Sequence, residues 1–310
     1  MSEQLNNFMA GHRQPLEEAL GKWLPLSAQP HTGRLNEALL YAVFPGGKRW
    51  RPMLTLLGAM AVGASARAAL PAACAIEFLH TSSLILDDLP AMDDADVRRG
   101  RAALHLAFGE GLAVLAALAL LNQAYSLLMR AASESRSQGA AERLIEQAVD
   151  CIGADGMIGG QVVDLEPSTT VRGPDAQASR NLKTTALMRL TMTAGAIAYG
   201  AEEADIAALA HFGERLGAAY QICDDLLDEL GESEAAGKPM RQDTRHRRST
   251  SVAELGIEGA HRLAESLVEE GKSAIIKRFG ECPEGGLLAD AADHIVRGIG
   301  RLGLIDDLVA

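Results

Sequence analysis

Apolar residues recur at helical spacing along nearly the whole 310-residue chain, and no stretch alternates with the two-residue period of a half-buried strand. Aromatic residues make up only 4%, and clusters of β-branched residues are rare, which favours helices over strands. Neither a Gly/Ser linker nor a fixed-period repeat divides the chain, so we predict an all-α fold with one domain spanning residues 1–310. The predicted helices lie at about 5–24, 34–44, 51–63, 68–88, 103–133, 139–166, 175–200, 203–230, 250–279 and 285–307.

The formal net charge of −12 argues against a nucleic-acid partner, because phosphate backbones are bound by basic surfaces. Small anionic substrates remain possible, since they need only a few placed Lys and Arg residues or bound metal ions. The four cysteines are far apart and form no CxxC pair, which predicts neither disulfides nor a zinc site. Residues 1–23 contain no signal-peptide core, and the apolar run 111–121 is too short to cross a bilayer. We therefore predict a cytoplasmic protein without stable membrane insertion.

The most informative segment is rich in aspartate and directly follows an apolar helix. Residues 84–101 read LILDDLPAMDDADVRRGR, with five aspartates within ten residues. Asp87 and Asp93 are six residues apart, which on an ideal helix would point them in opposed directions. Pro90 cannot continue the helical hydrogen bonds, so we expect the helix to break there and the chain to turn Asp93 back toward Asp87.

A second acidic group, YQICDDLLDE, lies much later in the chain. Asp224 and Asp228 share one face of a predicted helix, and Asp225 flanks them. Two unit charges ~4 Å apart repel by about 4 kcal/mol at an effective dielectric near 20, so two such clusters beside apolar runs indicate bound cations. Ligand sets made only of oxygen atoms favour Mg²⁺. The alternative for either cluster alone is a solvated helix end, and the presence of both makes that alternative weaker.

Basic residues fall into separate groups that could bind phosphate. Gly46 and Gly47 form a turn that opens a helix and is followed by Lys48 and Arg51, where free backbone N–H groups and cationic side chains both favour an anion. His80 lies two helical turns before Asp87 on nearly the same face, which makes it a candidate anion contact, although a lone histidine is more often structural. The remaining candidates are Arg98, Arg99, Gln161, Asp164, Lys183, Thr184, Gln221 and Lys238.

Taken together, these segments resemble the trans-isoprenyl diphosphate synthases, the family of farnesyl and geranylgeranyl diphosphate synthases. The resemblance covers about residues 35–260, in the family's order and with similar spacing. It implies an isoprenoid-synthase-type bundle of ten or more helices around a central cavity, a homodimer, diphosphate substrates and three Mg²⁺ ions per active site. The matching segments are GGKRWRP (46–52), DDLPAMDDADVRRG (87–100), GMIGGQVVDL (156–165), Lys183-Thr184, YQICDDLLDELGE (220–232) and GKP (237–239).

The resemblance also implies roles for individual residues in a reaction of ionisation, condensation and elimination. The diphosphate of isopentenyl diphosphate would be held by Lys48, Arg51, His80 and Arg99. Magnesium would be bound by Asp87, Asp88, Asp93, Asp224, Asp225 and Asp228. The allylic diphosphate would be contacted by Arg98, Lys183, Thr184, Gln221 and Lys238. The residues expected to carry catalysis are Asp87, Asp88, Asp93, Lys183, Asp224, Asp225 and Lys238.

Product length in such enzymes depends on side chains beneath the first acidic motif. Ser83 and Ser82 lie about 6–7.5 Å below Asp87 along the helix, at 1.5 Å per residue. Farnesyl-forming relatives commonly carry a large aromatic residue at one of these positions, so two serines imply a deeper floor near Leu79 or Ile76. The first motif, with four residues between its aspartate pairs, resembles those of short-chain bacterial and plant enzymes. We predict geranylgeranyl diphosphate as the product, with farnesyl diphosphate as the alternative.

The sequence departs from the family pattern at 102–106, at Arg241 and around Arg248 and Ser251, in or near the segments that the resemblance places over the site. Two further interpretations are a class I terpene cyclase and a non-catalytic synthase subunit. A cyclase needs one aspartate motif and no isopentenyl pocket, whereas this chain has two motifs together with Lys48, Arg51 and His80. A non-catalytic subunit would be expected to lose a motif, and both are present.

Overall fold

The computed structural model describes residues 1–44, 46–133, 135, 137–165, 174–230 and 251–299, with the backbone alone at 174–181, 228, 230 and 296–299. The fold is all-α, as predicted. In chain order the described helices are α1 Glu3–Trp23, α2 Gly33–Val43, α3 Trp50–Ala61, α4 Ala66–Asp87, α5 Leu104–Phe108, α6 Glu110–Ser133, α7 Ala140–Ile152, α8 Met157–Leu165, α9 Pro174–Tyr199, α10 Glu203–Leu230, α11 Ser251–Phe279 and α12 Pro283–Ile299.

Helix α9 runs through the centre of the described structure. From Ala186 to Ala198 nearly every side chain is buried, as expected for a helix that others surround on all sides. It packs against α3, α4, α6, α7, α8 and α10. A Cβ atom at Gly160 of α8 would lie 2.3 Å from the backbone nitrogen of Lys183, so the absence of a side chain there permits this close approach. The centre of the fold therefore carries Lys183 on a tightly enclosed helix.

Helix α4 brings the first acidic motif to its C-terminal end. Ser65 caps the helix by accepting a hydrogen bond from the Ala68 N–H, 3.2 Å away. The 22-residue helix then runs to Asp87 with most of its surface buried, although it carries Glu77 and His80. An apolar helix with a few polar positions thus connects the core to the site.

Some predicted helix boundaries were wrong. The helix predicted at 103–133 divides at Gly109, whose φ of 91° is left-handed, into α5 and α6. The helix predicted at 139–166 divides at residues 153–156 into α7 and α8. Glycine tolerates such backbone angles without steric cost, so apolar periodicity can continue across a break.

A short antiparallel hairpin follows the first acidic motif, where no strand was predicted. Strand β1, Val97–Arg98, pairs with β2, Arg101–Ala102, and Val97 lies opposite Ala102. The two turn residues, Arg99 and Gly100, have φ angles of 53° and 70°, as in a tight type I′ turn. Two residues per strand are too few to produce a recognisable two-residue period.

Helices α4 and α6 are long and apolar enough, by length and composition alone, to cross a membrane. In α4, 67% of an 18-residue apolar stretch is buried inside the fold, compared with 39% in α6. The apolar run at 111–121 is therefore only part of the apolar length of α6, which extends over Glu110–Ser133. The absence of stable membrane insertion stays a prediction.

Candidate active site

The first acidic motif folds back on itself after α4 ends. The Asp93 N–H donates to the Asp87 carbonyl at 2.9 Å, and the Ala95 N–H donates to the Asp88 carbonyl at 3.3 Å. Asp94 adopts a left-handed φ of 49° within this turn. The predicted return of Asp93 toward Asp87 after the break at Pro90 is thereby confirmed.

Lys183 of α9 forms the central ion pair of this motif. Its Nζ lies 3.2 Å from Asp87 Oδ2 and 3.8 Å from an oxygen of Asp164 on α8. Burial raises the pKa of Asp87, Asp93 adds to the rise, and Lys183 opposes it. Burial also disfavours the charge on Lys183, but the surrounding carboxylates, led by Asp87 and Asp164, hold the pKa of Lys183 above its usual value. The ammonium therefore offsets the repulsion among these acids.

Asp88 is paired with Arg98 from the hairpin. Arg98 Nε lies 3.0 and 3.1 Å from the two carboxylate oxygens of Asp88, and its Nη2 lies 2.5 Å from Oδ1. The Asp88 side chain is only 3% exposed. Arg98 was predicted to contact the allylic substrate and Asp88 to bind metal, and both roles stay predictions. In this arrangement the two residues neutralise each other.

The second acidic motif is joined to α9 by a chain of hydrogen bonds. Thr184 Oγ1 donates to Gln221 Oε1 at 3.0 Å, and Gln221 Nε2 donates to Asp225 Oδ1 at 3.2 Å. The other Asp225 oxygen accepts the Ser251 N–H at 2.9 Å, where α11 begins. Asp225 is 5% exposed, so its carboxylate is a buried connection between α10 and α11.

The neighbouring residues Lys183 and Thr184 thus connect the two acidic motifs, one contacting Asp87 and the other leading to Asp225. Asp224 is half-buried on the same helix as Asp225. The side chain of Asp228 and the whole of Lys238, Arg241 and Arg248 lie outside the described residues. The two motifs are therefore brought to one region by α9, as required for a shared ligand.

A cluster of half-buried basic residues lies beside the first motif. Arg51 Nη1 is 3.2 Å from His80 Nε2, and the Arg51 guanidinium lies 5.8 Å from the centre of the Tyr220 ring. The Nε atoms of both Arg51 and Arg99 are buried without a hydrogen-bond partner. Burial lowers the pKa of Arg51 and of Arg99, and for Arg99 the nearby arginines lower it further. Two half-buried guanidinium groups, each with a buried Nε donor that lacks a partner, favour binding of an anion. Lys48, the fourth predicted ligand of this group, is half-buried on the preceding loop.

Sequence reasoning missed the acids that support this cluster. Arg49, with a side chain that is 0% exposed, bonds Glu77 on α4 and Glu17 on α1. Glu77 also lies 3.8 Å from Arg99. A glutamate in the apolar stretch CAIEFLH, three residues before His80, was a signal that could have indicated a buried ion pair.

The hairpin is fixed to the end of α2 through Tyr41. The Tyr41 hydroxyl donates to the Ala102 carbonyl at 2.9 Å, and the Arg101 guanidinium stacks 3.6 Å from the Tyr41 ring centre. Arg101 also donates to the Phe44 carbonyl at 3.1 Å. The unusual segment 102–106 therefore begins at an anchored position.

The residues beneath the first motif differ in what they contact. Ser82 Oγ donates to the Ala117 carbonyl on α6 at 2.9 Å and is buried, whereas Ser83 is half-buried and donates to the His80 carbonyl. Leu79 and Ile76 are 1% and 0% exposed. No aromatic side chain stands at either serine position, which keeps the deeper-floor prediction open.

The donor set fits magnesium in chemical type. Asp87 and Asp93 supply carboxylate oxygens that are close enough for each charge to act on the other. Within the described ranges, no three His, Cys, Asp or Glu side chains converge as a ready-made metal site. The second motif is only partly described, since the Asp228 side chain is not included.

The polyprenyl synthetase family model matches residues 32–278. The chain belongs to this family. It is 36% identical over 276 residues to the farnesyl diphosphate synthase of Bacillus subtilis (strain 168), covering 89% of this chain and 93% of that protein. It is 34% identical over 278 residues to the geranylgeranyl diphosphate synthase of Cyanophora paradoxa, covering 88% and 90%.

Solved structures of polyprenyl synthetase relatives share the fold. An apo FPP/GFPP synthase from Zymomonas mobilis matches with a TM-score of 0.82 and 32% identity, over 96% of this chain and 100% of the other. A geranyltransferase from Helicobacter pylori, complexed with magnesium and isoprenyl diphosphate, matches with a TM-score of 0.78 and 29% identity, over 97% and 98%. The predicted family and helical fold are confirmed, and the protein is an enzyme of the prenyl diphosphate synthase type. The relatives' names divide between products, so the family does not determine the chain length.

Proposed function

We propose that this polyprenyl synthetase condenses isopentenyl diphosphate with the allylic dimethylallyl, geranyl and farnesyl diphosphates, and that its main product is geranylgeranyl diphosphate. The observation that carries the proposal is the juxtaposition of two aspartate motifs, joined by Lys183 and Thr184, with Arg51 and Arg99, whose buried Nε donors lack a partner. Acidic walls suit a metal-bound diphosphate, and unpaired guanidinium donors suit a second, directly bound diphosphate.

The protein's own groups have distinct tasks in this proposal. Arg51, Arg99, His80 and Lys48 hold the diphosphate of isopentenyl diphosphate. Lys183, Thr184, Gln221, Arg98 and Lys238 orient the allylic diphosphate. The motif aspartates Asp87, Asp88, Asp93, Asp224, Asp225 and Asp228 would hold three Mg²⁺ ions. Bound magnesium supplies Lewis-acid stabilisation of the departing diphosphate.

The bond changes need no protein nucleophile. The allylic C–O bond breaks, the double bond of isopentenyl diphosphate forms the new C–C bond, and a proton leaves to the released diphosphate. Buried apolar residues such as Leu79 and Ile76 line the direction expected for the growing chain and exclude water from the cationic intermediate.

Product analysis tests the chain length. Incubation with radiolabelled isopentenyl diphosphate, farnesyl diphosphate and Mg²⁺, followed by mass spectrometry, should give a twenty-carbon product. Farnesyl diphosphate is the second candidate, because the Bacillus subtilis relative carries that name. If elongation stops at fifteen carbons, the small residues Ser82 and Ser83 do not open the floor and the product assignment is wrong.

Diphosphate release separates the proposed activity from the other interpretations. Release that requires both substrates and Mg²⁺ supports condensation. Release from an allylic substrate alone would support a terpene cyclase, and no release would support a non-catalytic subunit. The presence of both acidic motifs beside Arg51 and His80 favours condensation.

We also propose a cytoplasmic homodimer in which each chain is a single polyprenyl synthetase domain, with small diphosphates and no nucleic acid as partners. One hydrophobic cluster extends from Leu5 to Ile295, which supports a single domain. Helix α6 exposes Leu115, Leu118 and Met129 by 57%, 51% and 49% on one face. Such an apolar stripe on a long helix supports burial against a second copy.

A further inference from the structure

Helix α1 contacts the loop of residues 46–49, which carries the proposed diphosphate ligand Lys48 and leads into α3, where Arg51 lies. Arg13 Nη2 donates to the Gly47 carbonyl at 2.9 Å, and Arg13 Nε lies 3.0 Å from Glu17 Oε1. Glu17 in turn accepts hydrogen bonds from Arg49 Nε and Nη2 at 3.0 and 3.1 Å. Two consecutive turns of α1 therefore hold the loop at Gly47 and at Arg49, on either side of Lys48.

Arg49 adopts a backbone conformation that its own side chain would not favour. Its φ of 57° and ψ of 34° are left-handed, which is costly for a residue with a Cβ atom. Its guanidinium is enclosed, donates to the Val43 carbonyl at 2.8 Å, and fills the space beside Gly46 so closely that a Cβ there would lie 1.8 Å from Arg49 Cζ. The loop therefore depends on the contacts of the Arg49 side chain to keep this shape.

The charge of Arg49 is balanced by one acid from each neighbouring helix. Burial disfavours the guanidinium charge, but Glu77 and Glu17 hold the pKa of Arg49 above its usual value. Glu77 also faces Arg99, so the same acid is shared between the supporting arginine and a proposed substrate ligand. Removing the Glu17 charge would leave Glu77 as the single carboxylate bonded to Arg49 among the described contacts.

We propose that Glu17 and Arg13 of α1 are positioning residues for isopentenyl diphosphate: through Arg49 and the Gly47 carbonyl they fix the loop that carries Lys48 and leads into Arg51 at the start of α3. The inference rests on the proposed function of that loop. Helix α1 precedes the family match at residues 32–278, so that match does not bear on Arg13 or Glu17.

The kinetic test compares Glu17→Gln with Glu18→Gln. Both remove one negative charge from α1, but Glu18 is exposed and accepts a hydrogen bond from Gln14 on the same helix. We expect Glu17→Gln to raise KM for isopentenyl diphosphate roughly tenfold, because a charge-assisted hydrogen bond to the loop is lost. The KM for the allylic substrate should change less than about twofold, and Glu18→Gln should match the wild type.

Two further variants and measurements exclude a general loss of folding. Glu17→Asp keeps the charge and should bring KM back toward the wild-type value, whereas a merely structural role for the glutamate volume would give no such recovery. Melting curves should place Glu17→Gln and Glu18→Gln in the folded state at the assay temperature. An equal rise in both substrates' KM values in Glu17→Gln would overturn the inference.

Trypsin provides a readout that does not depend on activity. Arg49 is fully enclosed, so cleavage after Lys48 or Arg49 should be slow in the wild type and in Glu18→Gln, and several-fold faster in Glu17→Gln. Mass spectrometry identifies the cleaved bonds. Unchanged cleavage in Glu17→Gln would overturn the inference. A wild type that consumes no isopentenyl diphosphate would instead contradict the proposed function and leave the cleavage result to decide whether α1 supports the loop.

Discussion

Among single residues, Lys183 stands out because several carboxylates surround its charge. Its ammonium contacts Asp87 and Asp164 from a position on the buried central helix. The 96 positions that separate Lys183 from Asp87 in sequence could not reveal this contact, because it arises only when α9 packs beside α4. The resemblance to a family suggested a substrate role for Lys183, and the structure adds its pairing with the first motif.

We predict that Lys183→Ala lowers kcat/KM for the allylic substrate by roughly 100-fold, because a preorganised positive charge beside the diphosphate site is lost. Lys277→Ala, which removes an exposed lysine from α11, is the control and should retain wild-type kinetics. Steady-state assays with each substrate varied in turn measure the effect. A Lys183→Ala enzyme with unchanged kcat/KM would contradict the role assigned to the ammonium.

Because the Cys74 thiol is buried, we predict that the stability of the protein falls at alkaline pH. Burial raises the pKa of this thiol, and the nearby Glu77 carboxylate adds to the rise. An unfolded thiol ionises at about pH 8.5, whereas the buried Cys74 thiol stays protonated to higher pH. The stability that this difference contributes is fully present below about pH 8.5 and is lost progressively as the pH rises above it. Under reducing conditions, the unfolding free energy of the wild type should fall by about 1.4 kcal/mol per pH unit more steeply than that of Cys74→Ala. Urea unfolding at about pH 8 and about pH 10 measures the two slopes, and parallel slopes would refute the prediction.

Among the elements, the approach of α8 to α9 sets the position of Lys183. Because a Cβ at Gly160 would meet backbone 2.3 Å away, the two helices would have to separate to accommodate it. The same shift would move Lys183 relative to Asp87.

We predict that Gly160→Ala lowers the free energy of unfolding by about 1–3 kcal/mol and reduces activity, because the added methyl group overpacks a helix contact. Gly286→Ala in α12 is the matched control. An added Cβ there meets nothing within 4 Å, so the change should be neutral or stabilising by about 0.4–1 kcal/mol. Denaturant unfolding compares the two, and equal effects would show that the α8–α9 contact tolerates the extra volume.

Helix positions were largely predictable from apolar periodicity, because burial imposes a spacing that the sequence displays directly. The breaks at Gly109 and at 153–156 were not, since apolar residues continue on both sides. The hairpin at 97–102 depends on left-handed angles at Arg99 and Gly100, for which an arginine gives no signal. Its folding lets Arg98 reach Asp88, so the identity of this pair also lay beyond sequence reasoning.

At the scale of the whole molecule, the apolar face of α6 bears on the oligomeric state. Leu115 and Leu118 are exposed about one turn apart on a helix whose opposite face packs into the core. A second copy covering this face would explain why such residues are tolerated on a chain with a net charge of −12.

We predict that the wild type has twice the mass of a single chain in solution and that Leu118→Glu shifts it to a monomer, because a charge placed at an apolar interface loses its hydration. Ile276→Glu on α11 is the control, since Ile276 is similarly exposed at 49%. Size-exclusion chromatography with light scattering measures the masses. A monomeric wild type, or a dimer that survives Leu118→Glu, would contradict dimerisation through α6.

The Asp225 carboxylate lies where the proposed binding of a divalent ion and the start of α11 would affect each other. One of its oxygens receives Gln221 and the other receives the first amide of α11. If Asp225 binds magnesium as proposed, the ion would have to share these oxygens with that amide or displace it. Thermodynamic linkage would then require the reverse effect: a change that stabilises the start of α11 would alter the affinity of the second acidic motif for the proposed magnesium by the same factor.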